Sequence, residues 1–262
     1  CNKIRDRIGI LKTALFKEES AGTITNDWMA TFLVTKLCQP NRSFIDVGAH
    51  IGSIISEVSH YDSTIKIIAV EAMPDKALKL RNKFPSIELH DCAVGENNDG
   101  EIAFYVNTKQ SGYSSLGKPS ENNESDTIEI KVLIKQLDSL VTSDDVDVIK
   151  IDVEGAELGV LRGSENIISN CRPVIMFESG TPQNDGLGYT KNVMWEFFTN
   201  NKYEIFVPNK VAHNGPGLTM EGFSESHIYP RRTTNYLAVP IERSAEIRDL
   251  ARKILSRISI LN

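Results

Sequence analysis

From residue 43 onward the sequence alternates short β-rich runs with helical stretches, and no other feature constrains the fold as much. The runs cover 43–47, 65–70, 87–90, 146–151, 174–177, 203–207 and 236–239. Helical periodicity fills 51–59, 75–83, 154–162 and 193–200. Strands alternating with helices predict βαβ units and a mostly parallel sheet covered on both faces. Upstream, Ile4, Ile8, Leu11 and Leu15 recur at spacings of four and three, which predicts an amphipathic helix over 2–16. A second helix is expected over 28–37, ended by Gln39-Pro40. Two segments break the rhythm. Residues 102–106 and 127–134 read as extra strands around a polar loop at 108–126, and 208–232 shows no periodicity around Gly215-Pro216-Gly217. Loops longer than about 15 residues in a compact domain usually carry function or are disordered.

With 262 residues, 40% of them apolar, the chain can build a core that needs no disulfide or structural metal. No stretch approaches the roughly 18 uninterrupted apolar residues of a membrane helix, which excludes a membrane-spanning protein. Cys1, Cys38, Cys92 and Cys171 are far apart and form no C-x-x-C pair. A thiolate zinc site is therefore not expected, and a reducing, cytoplasmic compartment is. No export signal is visible in the residues at hand, and none is expected. A chain starting at Cys1 rather than Met is expected to be trimmed, with a lipid-modified cysteine as the alternative. The net charge of −6 argues against general affinity for nucleic acid. The basic stretch 231–257 is expected to be a solvated helix face.

The strand at 43–47 runs directly into Asp46-Val47-Gly48-Ala49-His50-Ile51-Gly52, after which a helix begins. In an open parallel sheet, ligands lie outside the carboxyl ends of the strands, where the chain order reverses. Gly48 and Gly52 lack a Cβ and are expected to let the backbone turn sharply and approach a ligand. Their G-x-x-x-G spacing differs from the G-x-G-x-x-G of dinucleotide binders. A cofactor carrying a sulfonium and an amino-acid group needs a carboxylate nearby, and Asp46 at the strand end can supply one. The next strand ends on Glu71, 19 residues after Gly52, where a carboxylate accepts from both hydroxyls of a ribose. The third ends in Asp91-Cys92-Ala93: Asp91 would accept from an adenine amine while the small residues pack on the ring. The fourth leads into Asp152, Glu154 and Glu157. Asp152 would face the crevice, whereas Glu154 and Glu157 would open the following helix, whose dipole favours negative charge there. Glu178 ends the fifth strand beside them.

At these residues the sequence resembles the FkbM-type class I S-adenosylmethionine-dependent methyltransferases. The resemblance rests on 44–52, on 149–157 followed by Val160-Leu161-Arg162-Gly163, on 111–116, on Leu137-Asp138-Ser139-Leu140 and on 235–240. It implies an α/β Rossmann-like fold, with a mostly parallel seven-stranded sheet, the last strand antiparallel, and helices on both faces. The implied layout is an N-terminal helical segment over 1–40, the methyltransferase domain over 41–240 and a C-terminal amphipathic helix over 241–262. The implied cofactor is S-adenosylmethionine, contacted by Asp46, Gly48, Ala49, His50, Gly52, Glu71, Ala72, Asp91, Cys92, Ala93 and Asp152. His50 stands where the family commonly has Asn, with little consequence if only its backbone faces the cofactor.

The implied activity is methylation of a hydroxyl on a sugar, glycan or secondary metabolite. Such a hydroxyl needs a base, and Asp152 supported by Glu178 is the first candidate. His213 and His227, in the 208–232 loop, are the rivals, and that loop is expected to close over the acceptor. Residues 111–116 are expected to fold over the cofactor, and Arg231 and Arg232 to hold an anion on the acceptor. No dedicated metal site is expected, although Asp152 and Glu178 could share a Mg²⁺. The alternatives are an N-methyltransferase, an NAD-binding oxidoreductase and a cofactor-binding interaction module without catalysis. Ile247, Leu250, Ala251, Ile254 and Ile258 give 243–259 an apolar face for the protein's own sheet or N-terminal helix, or for a second copy in a homodimer.

Overall fold

The structure, a computed structural model, describes residues 9, 11–98, 100–109, 114–117, 126–180, 187 and 189–256. The chain forms two compact units, one of residues 38–190 and one of residues 1–37 with 191–262. The larger unit is built on five parallel strands: β1 (Ser43–Val47), β2 (Lys66–Val70), β3 (Glu88–His90), β7 (Val146–Ile151) and β8 (Val174–Glu178), in the order β3-β2-β1-β7-β8. All five residues of β1 and all six of β7 are buried. A strand buried along its whole length is covered on both faces, which explains why these runs are apolar rather than alternating. The crossover helices span Ser53–Tyr61, Pro74–Lys83, Glu157–Arg162 and Glu165–Cys171. Successive strands step outward one way from β1 to β3 and the other way from β7 to β8. The order therefore reverses between β1 and β7, and a crevice opens at their carboxyl ends.

A second sheet of the same unit contains β4 (Ala93–Val94), β5 (Gly100–Asn107) and β6 (Thr127–Lys135). Strands β5 and β6 pair antiparallel from Gly100 opposite Ile134 to Asn107 opposite Thr127. Both show strand alternation: Ile102, Phe104 and Val106 on one, Ile130, Val132 and Ile134 on the other, all packing with Met73 and Ala93. This sheet absorbs the two extra strands read from the sequence. The short β4 lacked any alternation that would have revealed it.

The smaller unit carries the antiparallel pair β9 (Tyr203–Phe206) and β10 (Asn235–Pro240), with Leu237 opposite Phe206 and Pro240 opposite Tyr203. Together the units supply the seven strands expected, the last of them antiparallel. Of the helix expected over 2–16, residues 11–16 are helical and 2–8 and 10 lie outside the described residues. The next helix spans Ala21–Leu37, seven residues longer at its start than the sequence suggested. Its Asp27 explains the difference in part: Oδ1 accepts from Thr233 Oγ1 at 2.7 Å and from the backbone N–H of Thr234 at 2.8 Å. The helix Ser244–Ser256 buries Ile247 and Ala251 against the helix Ala21–Leu37 and β10. Of the apolar positions expected on this face, Ile247 and Ala251 thus pack within their own unit, Leu250 and Ile254 are half-buried, and Ile258 lies outside the described residues.

The segment 208–232, expected as a mobile loop, is ordered. It contains a helix, Met220–Glu225, capped by Thr219 Oγ1 accepting from Gly222 N–H at 3.1 Å. Trp195 Nε1 donates to the Leu218 carbonyl at 3.0 Å, and Leu218 N–H to the Ile205 carbonyl at 2.7 Å. Phe223, His227 and Tyr236 form a buried aromatic cluster, His227 stacked on Tyr236 with ring centres 5.1 Å apart. Truncating Phe223 to Ala leaves a cavity in that cluster. The variant is expected to lose about 3–5 kcal/mol of smaller-unit stability, measured by urea denaturation followed by tryptophan fluorescence.

Candidate active site

The crevice at the strand ends is a cleft of about 190 Å³, lined wholly by residues of the larger unit. Gly48 and His50 at the end of β1, Glu71, Ala72 and Met73 at the end of β2, Cys92 and Ala93 before and in β4, and Asp152, Val153 and Glu154 after β7 form its walls. Phe104, Ser114 and Leu116 close it from the second sheet. Ser114 and Leu116 belong to the 111–116 segment expected to fold over a cofactor, while 111–113 lie outside the described residues.

The turn after β1 is glycine-dependent for reasons internal to the protein. Gly48 has φ +78 and Gly52 φ +73. A Cβ on Gly48 would lie 1.9 Å from the Asp152 carbonyl oxygen, and one on Gly52 2.4 Å from Phe84 Cε2. The close approach expected toward a ligand is thus made first toward neighbouring protein atoms. His50 also adopts a left-handed conformation, φ +52, which Asn and His tolerate better than most residues. Its backbone N–H donates to Glu71 Oε2 at 2.7 Å, and its ring meets the Lys76 ammonium. Burial first, then Lys76, lowers the His50 pKa. Met73 N–H donates to Glu71 Oε1 at 2.9 Å, so two backbone donors aim the Glu71 carboxylate. Burial nevertheless raises the Glu71 pKa.

Asp46, expected to face a cofactor, is 1% exposed and does not line the cleft. The reason is Lys150, its register partner on β7, whose Nζ lies 3.0 Å from Asp46 Oδ1. That contact is ionic, since its alignment misses a hydrogen bond. Lys150 donates instead to the Gly48 carbonyl at 2.7 Å and lies 3.6 Å from Asp152 Oδ2. Burial works against the Lys150 charge, but Asp46 and then Asp152 outweigh it and raise its pKa. The sequence reading gave Lys150 no role. The signal was present, because a lysine inside Ile149-Lys150-Ile151 on a buried strand must be paired.

Asp91 is also displaced from its expected role. It lies exposed, with Arg81 Nη2 donating to both carboxylate oxygens at 2.8 and 2.9 Å, and is absent from the cleft wall. Cys92 and Ala93 do line the cleft, and burial pushes the Cys92 thiol up to about 11. Ala49 and Gly52 support the turn without lining it. His213 is exposed and borders a hollow of the smaller unit with Glu204, Asn214 and Arg248. His227 is structural: its Nδ1 is 2.7 Å from the Phe223 carbonyl and its ring is buried.

Asp152, Glu154 and Glu178 bring one carboxylate oxygen each within 4.8 Å of one another. Glu154 does not open the helix as expected. It sits in a left-handed turn at φ +54, and the helix starts at Glu157. Glu157 ties that turn together, its Oε1 accepting from Val153 N–H and Gly155 N–H, both at 3.1 Å. Burial, then Asp152, pushes Glu154 up to about 8, and burial holds Glu157 near 7 despite those donors. Burial, then Asp152, pushes Glu178 up to about 10.

A family model described as the methyltransferase FkbM domain matches residues 46–205, which include the cleft and its carboxylates. The chain belongs to the FkbM methyltransferase family. Methyltransferase 1 of Beauveria bassiana (strain ARSEF 2860) is 26% identical over 152 residues, covering 48% of this chain and 60% of that protein. Among solved structures, the FkbM methyltransferase of Methylobacillus flagellatus KT aligns with 91% of this chain and 60% of its own, at 16% identity and a TM-score of 0.46. The precorrin-6y C5,15-methyltransferase of Geobacter metallireducens GS-15 aligns with 68% of this chain and 72% of its own, at 15% identity and a TM-score of 0.40. The chain spans 60% of the length of the first two of these proteins. No helix among the described residues is long and apolar enough to cross a membrane.

The crowded carboxylates set a pH dependence. Glu178 holds its proton more tightly in the fold than its ordinary value of 4.5. It therefore favours folding fully below that value, and the contribution is lost as pH rises toward about 10. Glu178→Gln is expected to raise the melting temperature above that of the parent at about pH 8.5 and to leave it nearly unchanged at about pH 4, as read by scanning calorimetry.

Proposed function

We propose that the chain is an S-adenosylmethionine-dependent O-methyltransferase acting on a hydroxyl of a sugar, glycan or secondary metabolite. The observation that carries this is one cleft joining two features: Glu71, aimed by two backbone donors beside the Gly48 turn, and the Asp152 and Glu154 carboxylates after β7, with Glu178 at the end of β8 grouped with them just outside the cleft wall. The cleft fits the cofactor. Glu71 Oε1 and Oε2 each take one backbone donor and keep a lone pair for a ribose hydroxyl. Met73, Ala93, Phe104 and Leu116 offer an apolar wall to a planar base. On this assignment Gly48, His50, Ala72, Cys92, Ala93 and Asp152 contact the cofactor, while Asp46, Ala49 and Gly52 hold the turn. The free thiols of Cys38, Cys92 and Cys171, the cysteines among the described residues, support a reducing, cytoplasmic compartment.

Bound S-adenosylmethionine supplies a methyl group already activated on a sulfonium. The protein's task is then to hold a hydroxyl in line and take its proton. Alignment of this kind supplies about 7–11 kcal/mol of a barrier, and a positioned base contributes roughly 10²–10⁴-fold. Asp152 is the base in this scheme. Glu178, protonated at neutral pH, donates to Asp152 and keeps its carboxylate oriented. The acidic rim also suits a cationic ligand over a pyrophosphate, which disfavours the oxidoreductase alternative.

The cofactor assignment is tested by calorimetric titration with S-adenosylhomocysteine. Binding is expected, unaffected by NAD and at least about tenfold weaker in Glu71→Ala, in keeping with the loss of a charged hydrogen-bond acceptor; no binding would end the assignment. With a methyl acceptor found by screening hydroxylated glycans, Asp152→Asn is expected to lower kcat by about 10²–10⁴-fold. Turnover is expected to survive excess EDTA, and loss of activity on chelation would instead give the carboxylates a metal.

A further inference from the structure

Lys150 lies where three parts of the cleft meet. The residue is 4% exposed, and its ammonium contacts Asp46 on β1, the carbonyl of Gly48 in the turn and the carboxylate of Asp152 after β7. Two backbone bonds run beside it: Asp152 N–H to the Val47 carbonyl at 3.1 Å and Gly48 N–H to the Val70 carbonyl at 2.9 Å. A Cβ on Gly48 would meet the Asp152 carbonyl oxygen at 1.9 Å, so the turn and the backbone after β7 lie against each other. We infer that Lys150 is a positioning residue, its ammonium latching the cofactor turn at Gly48 to the Asp152 carboxylate so that both halves of the cleft are held in one arrangement. The inference deepens the methyltransferase reading and rests on it for the ligand.

The competing account is that Lys150 only neutralises the buried Asp46. The two are separated by a cycle of Asp46→Asn, Lys150→Met and the double variant. Lys150→Met alone strands the Asp46 charge and is expected to destabilise the fold, whereas the double variant removes both charges at similar volume. Two readouts are taken on each: affinity for S-adenosylmethionine by calorimetry, and amide hydrogen exchange at Gly48, Ala49 and Asp152 by NMR. The double variant is expected to melt near the parent temperature, to bind at least about tenfold more weakly than Asp46→Asn, and to exchange those amides about tenfold faster. That combination requires a net loss of about 1.4 kcal/mol, the equivalent of a tenfold change. If the double variant matches Asp46→Asn in affinity and exchange, Lys150 is a charge balance and the inference is wrong. If the parent binds no S-adenosylmethionine, the functional reading fails, and the exchange at Gly48 and Asp152 still decides whether the latch exists.

Discussion

The architecture of the cleft depends on a buried ion pair between neighbouring strands. Asp46 and Lys150 face each other in register on β1 and β7, whose other residues are Val, Ile and Phe apart from Ser43 and Asp147 near the strand starts. Removing two charges from water costs several kcal/mol per ion, and the attraction offsets this only when geometry and further hydrogen bonds are good. Here the ammonium also donates to Gly48 and approaches Asp152. The pair is therefore tied to the two loops where the strand order reverses. A hydrophobic pair at these positions would pack as well, but it would leave the Gly48 carbonyl without that donor.

The second constraint is charge crowding. Asp152, Glu154 and Glu178 share a few ångströms, with the buried Glu157 behind them. Such a group cannot be fully ionised cheaply, and the upward shifts of Glu154, Glu157 and Glu178 express this. On the proposed reading the cost is functional, because a cleft rimmed with carboxylates favours a cationic ligand and holds titratable groups near neutrality.

What could be read from the sequence follows from how local each cause is. The turn at 46–52 was legible because positive φ requires glycine at two fixed positions, and both glycines have it. The parallel strands were legible because total burial writes an apolar run. Interactions between residues far apart in the chain left weaker marks. Asp46 looked like a strand-end acid until its partner, 104 residues later, drew it into the core. Asp91 looked like a ligand to adenine until Arg81 took both its oxygens. The segment 208–232 has no periodicity because its order comes from Trp195, Asn26 and Tyr236, which no local pattern records. For the same reason His227, which looked available for catalysis, is a packing residue.

His50 shows how a site can keep its geometry while changing a side chain. Its contact with Glu71 in this structure is through the backbone: its N–H donates to Glu71 Oε2. That contact depends on the left-handed conformation at φ +52, which His accepts as Asn does. The side chain is then free to take another partner, and it meets Lys76, which itself is largely buried beside Glu71. His50 thus draws Lys76 into the charge surroundings of Glu71 without disturbing the donor that orients it. On the proposed reading, exchanging this side chain acts on the cleft in two ways, through its own place in the wall and through Lys76 and the Glu71 charge, while the turn that positions both stays set by Gly48 and Gly52.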